Sequence, residues 1–162
     1  MRKLTALLAA ILILGAGGVA MASDTTGQTV TYEIQAINEL AVSGSPDALI
    51  VNEAVAGAAP TAVSNTATTY DITTNQTTRK ITGAINAAMP AGVTLTANLA
   101  APTGGTSAGA VVLTATAQDL VTGISTLNET AKGITYGLSA TSAAGVVASA
   151  TKTVTLTIAA GI

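Results

Sequence analysis

The sequence predicts an all-β protein, an antiparallel β-sandwich of about seven to nine short strands. Apolar and polar residues alternate over much of the chain, and turns rich in Gly, Pro and Ser separate the alternating segments. The polar residues in this alternation are mostly threonine, which is β-branched and favours strands. A helical alternative exists for residues 85–89 and for the Ala-rich loops, but neighbouring Thr, Gly and Pro residues disfavour long helices there.

The first 22 residues have the pattern of a cleaved signal peptide. Arg2 and Lys3 form a positive start, residues 4–15 are mostly apolar, and Ala20-Met21-Ala22 is a small-x-small cleavage site. The apolar run is shorter than the roughly 20 residues that a membrane-spanning helix needs. We therefore expect a secreted protein, extracellular or at the cell surface, in which residues 23–162 form a single β-sandwich domain.

The composition disfavours some classes of partner and restricts the residue types that can form the core. Charged residues are 9% of the chain, and loss of Arg2 and Lys3 with the signal changes the net charge from -2 to -4. This argues against nucleic acid or a membrane surface as partner after cleavage. The chain has no Cys, Phe or Trp, so the core must consist mainly of Val, Ile, Leu and Ala and must be stable without disulfides.

The predicted strands of the first half begin with residues 29–37, where apolar and polar residues alternate. Residues 48–53 form a short apolar segment that predicts a second strand. Residues 67–74 and 79–86 are predicted to pair as a hairpin across the turn at residues 75–78.

In the second half the alternation is clearer. The predicted strands are residues 93–99, 111–117, 134–140 and 153–158, with a weaker candidate at 120–125.

The search for chemistry gives negative results. Without His or Cys, the chain lacks the commonest general base, the thiol nucleophile and the usual zinc ligands. Its acidic residues occur singly, with neither calcium-loop spacing nor an acid/base motif. We therefore expect a non-enzymatic protein with no catalytic residues, no metal ligands and no cofactor.

Three tyrosines and two sequons remain as candidate ligand-binding and glycosylation sites. Tyr32, Tyr70 and Tyr136 would form a sugar-binding platform only if the fold gathers them, and the apolar neighbours in phase with Tyr32 and Tyr136 favour core positions. Asn75 and Asn128 each begin an N-glycosylation sequon in a predicted turn.

The order of segments resembles that of the major pilins of colonisation-factor-type fimbriae, which a chaperone and usher assemble. More loosely, it is similar to other exported β-sandwich subunits that polymerise by donor-strand complementation. The likeness covers the mature chain and includes no diagnostic motif. It is carried by residues 29–37 soon after the signal, Leu49-Ile50-Val51, the Thr-rich middle pair, the terminal segment 153–158 and the absence of cysteine.

Pilins of this kind are immunoglobulin-like sandwiches that lack one strand, and the N-terminal extension of a neighbouring subunit fills the groove. The resemblance implies a head-to-tail homopolymer in a pilus or fimbria, a structural and cell-adhesion role, and a host or cell-surface ligand. It also implies a donor strand whose groove-filling residues are Val30, Tyr32, Ile34 and Ala36. Assembly without a chaperone or usher is equally compatible with the sequence.

Two alternatives stay open. No flexible linker separates residues 29–37 from residues 38–42, so the segment can also be the first strand of its own sandwich. The protein can also be a monomeric secreted binding module for a carbohydrate or a surface protein, acting through its loops.

Overall fold

The computed structural model describes residues 25–161, so the predicted signal peptide lies outside the described residues. The chain divides into two units between Glu33 and Ile34. Residues 25–33, the described part of the first unit, form no helix or strand, and their side chains are exposed. All the regular secondary structure described below belongs to the second unit.

Between residues 34 and 161 the structure contains nine strands and one short 3-10 helix, Ser142–Ala144. No helix within residues 25–161 has the length and apolar character needed to cross a membrane. The strands are β1 (Asn38–Val42), β2 (Val63–Thr74), β3 (Arg79–Ile85), β4 (Val93–Leu99), β5 (Thr106–Ser107), β6 (Val111–Val112), β7 (Gln118–Ile124), β8 (Leu127–Ala140) and β9 (Val154–Ala160).

These strands form two antiparallel sheets, which confirms the predicted all-β sandwich. The five-stranded sheet has the order β1-β2-β8-β4-β6, and the four-stranded sheet has the order β5-β7-β3-β9. Every strand pair is antiparallel.

The core lies between the sheets and follows the alternation in the sequence. In β4 the side chains of Leu95, Ala97 and Leu99 are buried, and Ile134 and Tyr136 are buried in the neighbouring β8. Since successive side chains of a strand point to opposite faces, the threonines between these residues fall on the outer face. Period-two alternation therefore predicted the inward residues of both strands correctly.

The predicted hairpin of residues 67–74 and 79–86 is wrong, although both strands exist. β2 pairs with β1 and β8, whereas β3 pairs with β7 and β9. Residues 75–78 therefore cross from one sheet to the other. A four-residue connection can span the roughly 10 Å between packed sheets as well as it can turn within one sheet, so its length did not decide the pairing.

Three other predicted strands differ from the structure. Residues 29–37 form no strand, and the first strand, β1, begins directly after them. Residues 48–53 also form no strand, but Leu49 and Val51 are partly buried while Ile50 between them is 64% exposed. The segment 111–117 is a strand only at β6, and beyond it Thr114 Oγ1 donates to Thr116 O at 2.8 Å.

Candidate functional site

The four residues predicted as a donor strand are exposed in the structure. Val30 is 76% exposed, Tyr32 86% and Ile34 79%, and Ala36 is exposed too. Large apolar side chains that repeat at every second position present one continuous apolar face when the backbone is extended. The segment thus has the side-chain pattern of a half-buried strand without being paired as one.

β9 is an edge strand with an incompletely covered apolar face. It pairs with β3 on one side, and no strand of the described chain pairs with its other side. Its inward residues Val154, Leu156 and Ile158 pack against the core but are only partly buried. In β3, one strand further in, Ile81 and Ile85 are 0% and 2% exposed. The core is therefore less well covered on the β9 side.

The position of Leu156 shows how β9 reaches the core. Gly83 of β3 faces inward, and a Cβ built on it would lie 2.6 Å from Cδ1 of Leu120 and 3.3 Å from Cδ2 of Leu156. The absence of a side chain at Gly83 leaves space for both leucines. Leu156 therefore packs closely against β3 while remaining only partly buried.

β1 lies on the same side of the sandwich as β9. It is the edge strand of the other sheet, packs next to β9, and is not hydrogen-bonded to it as a strand partner. Leu40 is its partly buried residue that contacts the core. Two edge strands from opposite sheets thus flank one open edge of the sandwich. We call this the β1/β9 edge.

The two ends of this edge can be distinguished by the strand ends that lie there. Asn38 at the start of β1 pairs with Thr74, and Gly161 after β9 donates its N–H to Thr78 O at 2.8 Å. The start of β1 and the end of β9 therefore both lie beside the 75–78 connection, at what we call the 75–78 end. The start of β9, at Val154, lies opposite Ile85 at the other end of the sandwich.

The tyrosines do not form a surface platform. Tyr70 is 0% exposed, and its hydroxyl donates to Ala100 O at 2.6 Å. Burial, with a smaller contribution from the charge of Glu129, raises the pKa of Tyr70 to about 12. Tyr136 is also buried, as predicted, and burial raises its pKa. Tyr32 is not a core residue of its own domain, contrary to the preference that its apolar neighbours suggested.

The charged groups form local ion pairs. Lys80 of β3 contacts Asp119 of β7 at 2.9 Å, and Lys132 pairs with Glu129 within β8. Hydrogen bonds from Lys132, then from the side chain of Thr103 and from its N–H (2.8 Å), lower the pKa of Glu129 to about 2. Among residues 25–161, no group of three His, Cys, Asp or Glu side chains is arranged to hold a metal ion.

One shallow recess is the candidate ligand site for the binding-module interpretation. It has a volume of about 370 Å³, and Asn98, Ser107 and Thr135 contribute polar groups to its lining. Ser107 Oγ donates to Asn98 Oδ1 at 3.1 Å and accepts from the Gly109 N–H at 3.1 Å. These bonds already occupy the hydroxyl of Ser107 and one side-chain oxygen of the recess.

Comparison with known proteins gave no match to a family model, to a curated protein or to a solved structure. The sequence predicted candidate donor residues but no acceptor surface. The free edge of β9 depends on which strands pair, and no local sequence signal marks it.

Proposed function

We propose that the protein is a non-enzymatic structural subunit of an extracellular filament. In this filament, residues 29–37 of one copy form a strand in the β1/β9 edge of the next copy. One observation carries the proposal: the chain combines four exposed apolar residues, which alternate along a segment that belongs to no strand, with an edge strand, β9, whose apolar face is partly covered. The sandwich would then be immunoglobulin-like, and the neighbouring subunit would supply its missing strand.

β-Augmentation explains the affinity and the register of such a contact. Alternate N–H and C=O groups along the free side of an antiparallel edge strand point away from the sheet and can bond to an added strand. Side chains of the added strand then enter the core at every second position. Val30, Tyr32 and Ile34 supply most of this apolar surface, and Ala36 is the smallest of the four residues.

The direction of the added strand decides between a filament and a closed dimer. Ile34 to Ile37 join their own domain at the 75–78 end, as the hydrogen bonds between Ile37 and Asn75 show. If the segment enters its neighbour at the Val154 end, it runs antiparallel to β9 and the contact repeats head to tail. If it enters at the 75–78 end, it runs parallel to β9 and two copies fill each other's edge. Only the first arrangement produces an open fibre.

Antiparallel insertion also suggests a register. With Ala36 opposite Val154, the apolar residues of the segment face the inward side of β9, and Glu33 lies opposite Thr157. Thr157 is exposed, and the chain has no native cysteine to interfere with an engineered disulfide. The Glu33→Cys/Thr157→Cys variant should therefore form a ladder of disulfide-linked oligomers on a non-reducing gel, since each subunit donates and accepts.

The test combines this gel with electron microscopy of the mature protein. We expect regular fibres and a ladder, and each single-cysteine variant serves as the control that forms at most dimers. A protein that stays monomeric at high concentration and forms no ladder would contradict the filament. That result would favour the monomeric binding module, whose ligand a glycan and protein array can then identify.

A further inference from the structure

The C-terminal end of the segment that would be donated lies beside Asn75, whose side chain extends the hydrogen bonding of the sheet beyond the last strand pair. Asn38↔Thr74 is the terminal pair of β1 and β2. One residue further on, the Asn75 N–H donates to Ile37 O at 3.3 Å, and the Ile37 N–H donates to Asn75 Oδ1 at 2.8 Å. Asn75 Nδ2 in turn donates to Gln35 O at 2.7 Å.

The side-chain amide of Asn75 therefore replaces a main-chain peptide group. The Asn75 N–H is the last main-chain group that bonds to residues 35–37 before the backbone crosses to β3, and the other two bonds come from the Asn75 side chain. An Asn side chain has both a carbonyl acceptor and an N–H donor, so it can pair with two backbone groups of an adjacent chain. Here it holds residues 35–37 in line with β1.

Granted the filament proposed above, we propose that Asn75 is a positioning residue that prevents the segment from filling its own β1/β9 edge. To return to that edge, the chain would have to reverse direction immediately before β1. A tight reversal between antiparallel strands takes about two to five residues. Those residues would be 35–38, and Asn75 holds three of their backbone groups. The alternative of a self-complemented sandwich is thereby disfavoured, and the segment is available for insertion into another copy.

The experiment uses the Glu33→Cys/Thr157→Cys chain. Glu33 lies near the middle of the segment and Thr157 near the middle of β9, so this pair can be joined in either strand direction. An intermolecular disulfide gives a ladder, whereas an intramolecular disulfide gives a monomer that migrates faster without reductant. The ratio of the two products measures donation against self-filling. A general loss of stability does not by itself shift this ratio.

In the Asn75→Ala background we expect the ratio of intramolecular to intermolecular product to rise about tenfold, because two side-chain hydrogen bonds that hold the segment in line are lost. Asn75→Asp keeps the acceptor for the Ile37 N–H and loses the donor to Gln35, so we expect an intermediate ratio. Asn128→Ala removes an exposed Asn of β8 and should leave the ratio unchanged.

The outcomes separate the two proposals. A ladder in the parent chain with the same ratio in both Asn75 variants overturns the role of Asn75 and leaves the filament standing. No ladder in any background overturns both. If Asn75→Ala does not fold, Asn75→Asp decides the question, and a parent-like ratio in that variant counts against the proposal.

Discussion

Ile34→Asp tests whether the N-terminal segment inserts into an apolar edge. Ile34 is 79% exposed in the free subunit. Full burial of an Ile side chain contributes roughly 1.5–3 kcal/mol, so insertion of Ile34 would contribute about 2 kcal/mol. The Asp variant loses this contribution, and removal of a carboxylate from water adds a further cost of at least about 2 kcal/mol. The sum, about 4 kcal/mol, corresponds to roughly a thousandfold weaker subunit contact.

Sedimentation at a series of protein concentrations measures this effect. The concentration at which half of the chains pellet as polymer should rise about a thousandfold in Ile34→Asp, beyond the practical range. Thr31→Asp is the matched control, because it places the same charge at an exposed position on the opposite face of the extended segment. We expect it to assemble at nearly the concentration of the unmodified protein.

The Ile34→Asp chain also provides a subunit that accepts without donating. Adding a synthetic peptide of residues 25–37 should fill its β1/β9 edge. At a peptide concentration of about 100 times Kd, the stabilisation is about 2.7 kcal/mol. For a domain of this size this raises the melting temperature by about 8 °C. A variant that polymerises like the control, or a melting temperature that the peptide leaves unchanged, would refute the reasoning.

Three predictions concern the stability of the sandwich itself. Tyr70→Phe removes the buried hydroxyl bond to Ala100 O and should lower the free energy of unfolding by about 1–2 kcal/mol in urea titrations. Gly83→Ala places a Cβ against Leu120 and should destabilise by about 1–3 kcal/mol, through overpacking, with no loss of secondary structure by circular dichroism. Because the pKa of Glu129 is lowered from 4.5 to about 2, its contribution is fully present above pH 4.5 and is lost as the pH falls towards 2; Glu129→Gln should flatten the melting temperature over that window, and an unchanged pH profile would contradict this role.

Local patterns in the sequence predicted several of the individual strands correctly. Alternation placed Leu95, Ala97 and Leu99 on the inner face of β4, and it placed Val154 and the residues in phase with it on the inner face of β9. The strand predicted from the short apolar run at residues 48–53 does not form, although Leu49 and Val51 are partly buried and Ile50 between them is exposed. Alternation reports which side chains face the core, and it does not require a hydrogen-bonded partner strand.

The candidate site, too, could be predicted from the sequence only in part. The alternation of Val30, Tyr32, Ile34 and Ala36 could be seen in the sequence, since the segment is continuous, and their proposed donor role came from the resemblance to pilins. The proposed acceptor edge could not be predicted, because β9 is an edge only if the strand after residues 75–78 joins the second sheet. Asn75 attracted attention only as the first residue of a sequon, and its contacts with residues 35 and 37 depend on a separation of about 40 positions in the chain.

The sequence by itself determined the all-β class, the threonine-rich outer faces and the apolar inner faces, because these depend on side-chain size and on a repeat of two residues. The tertiary structure decided which strands pair, which edges stay open and how the N-terminal segment joins the domain. Each of these depends on hydrogen bonds between residues far apart in the chain. A strand with one apolar face satisfies the same local rules in its own sheet as in a neighbour's. In the filament that we propose, the placement of residues 29–37 depends on Asn75 and on the free side of β9, which no local pattern encodes.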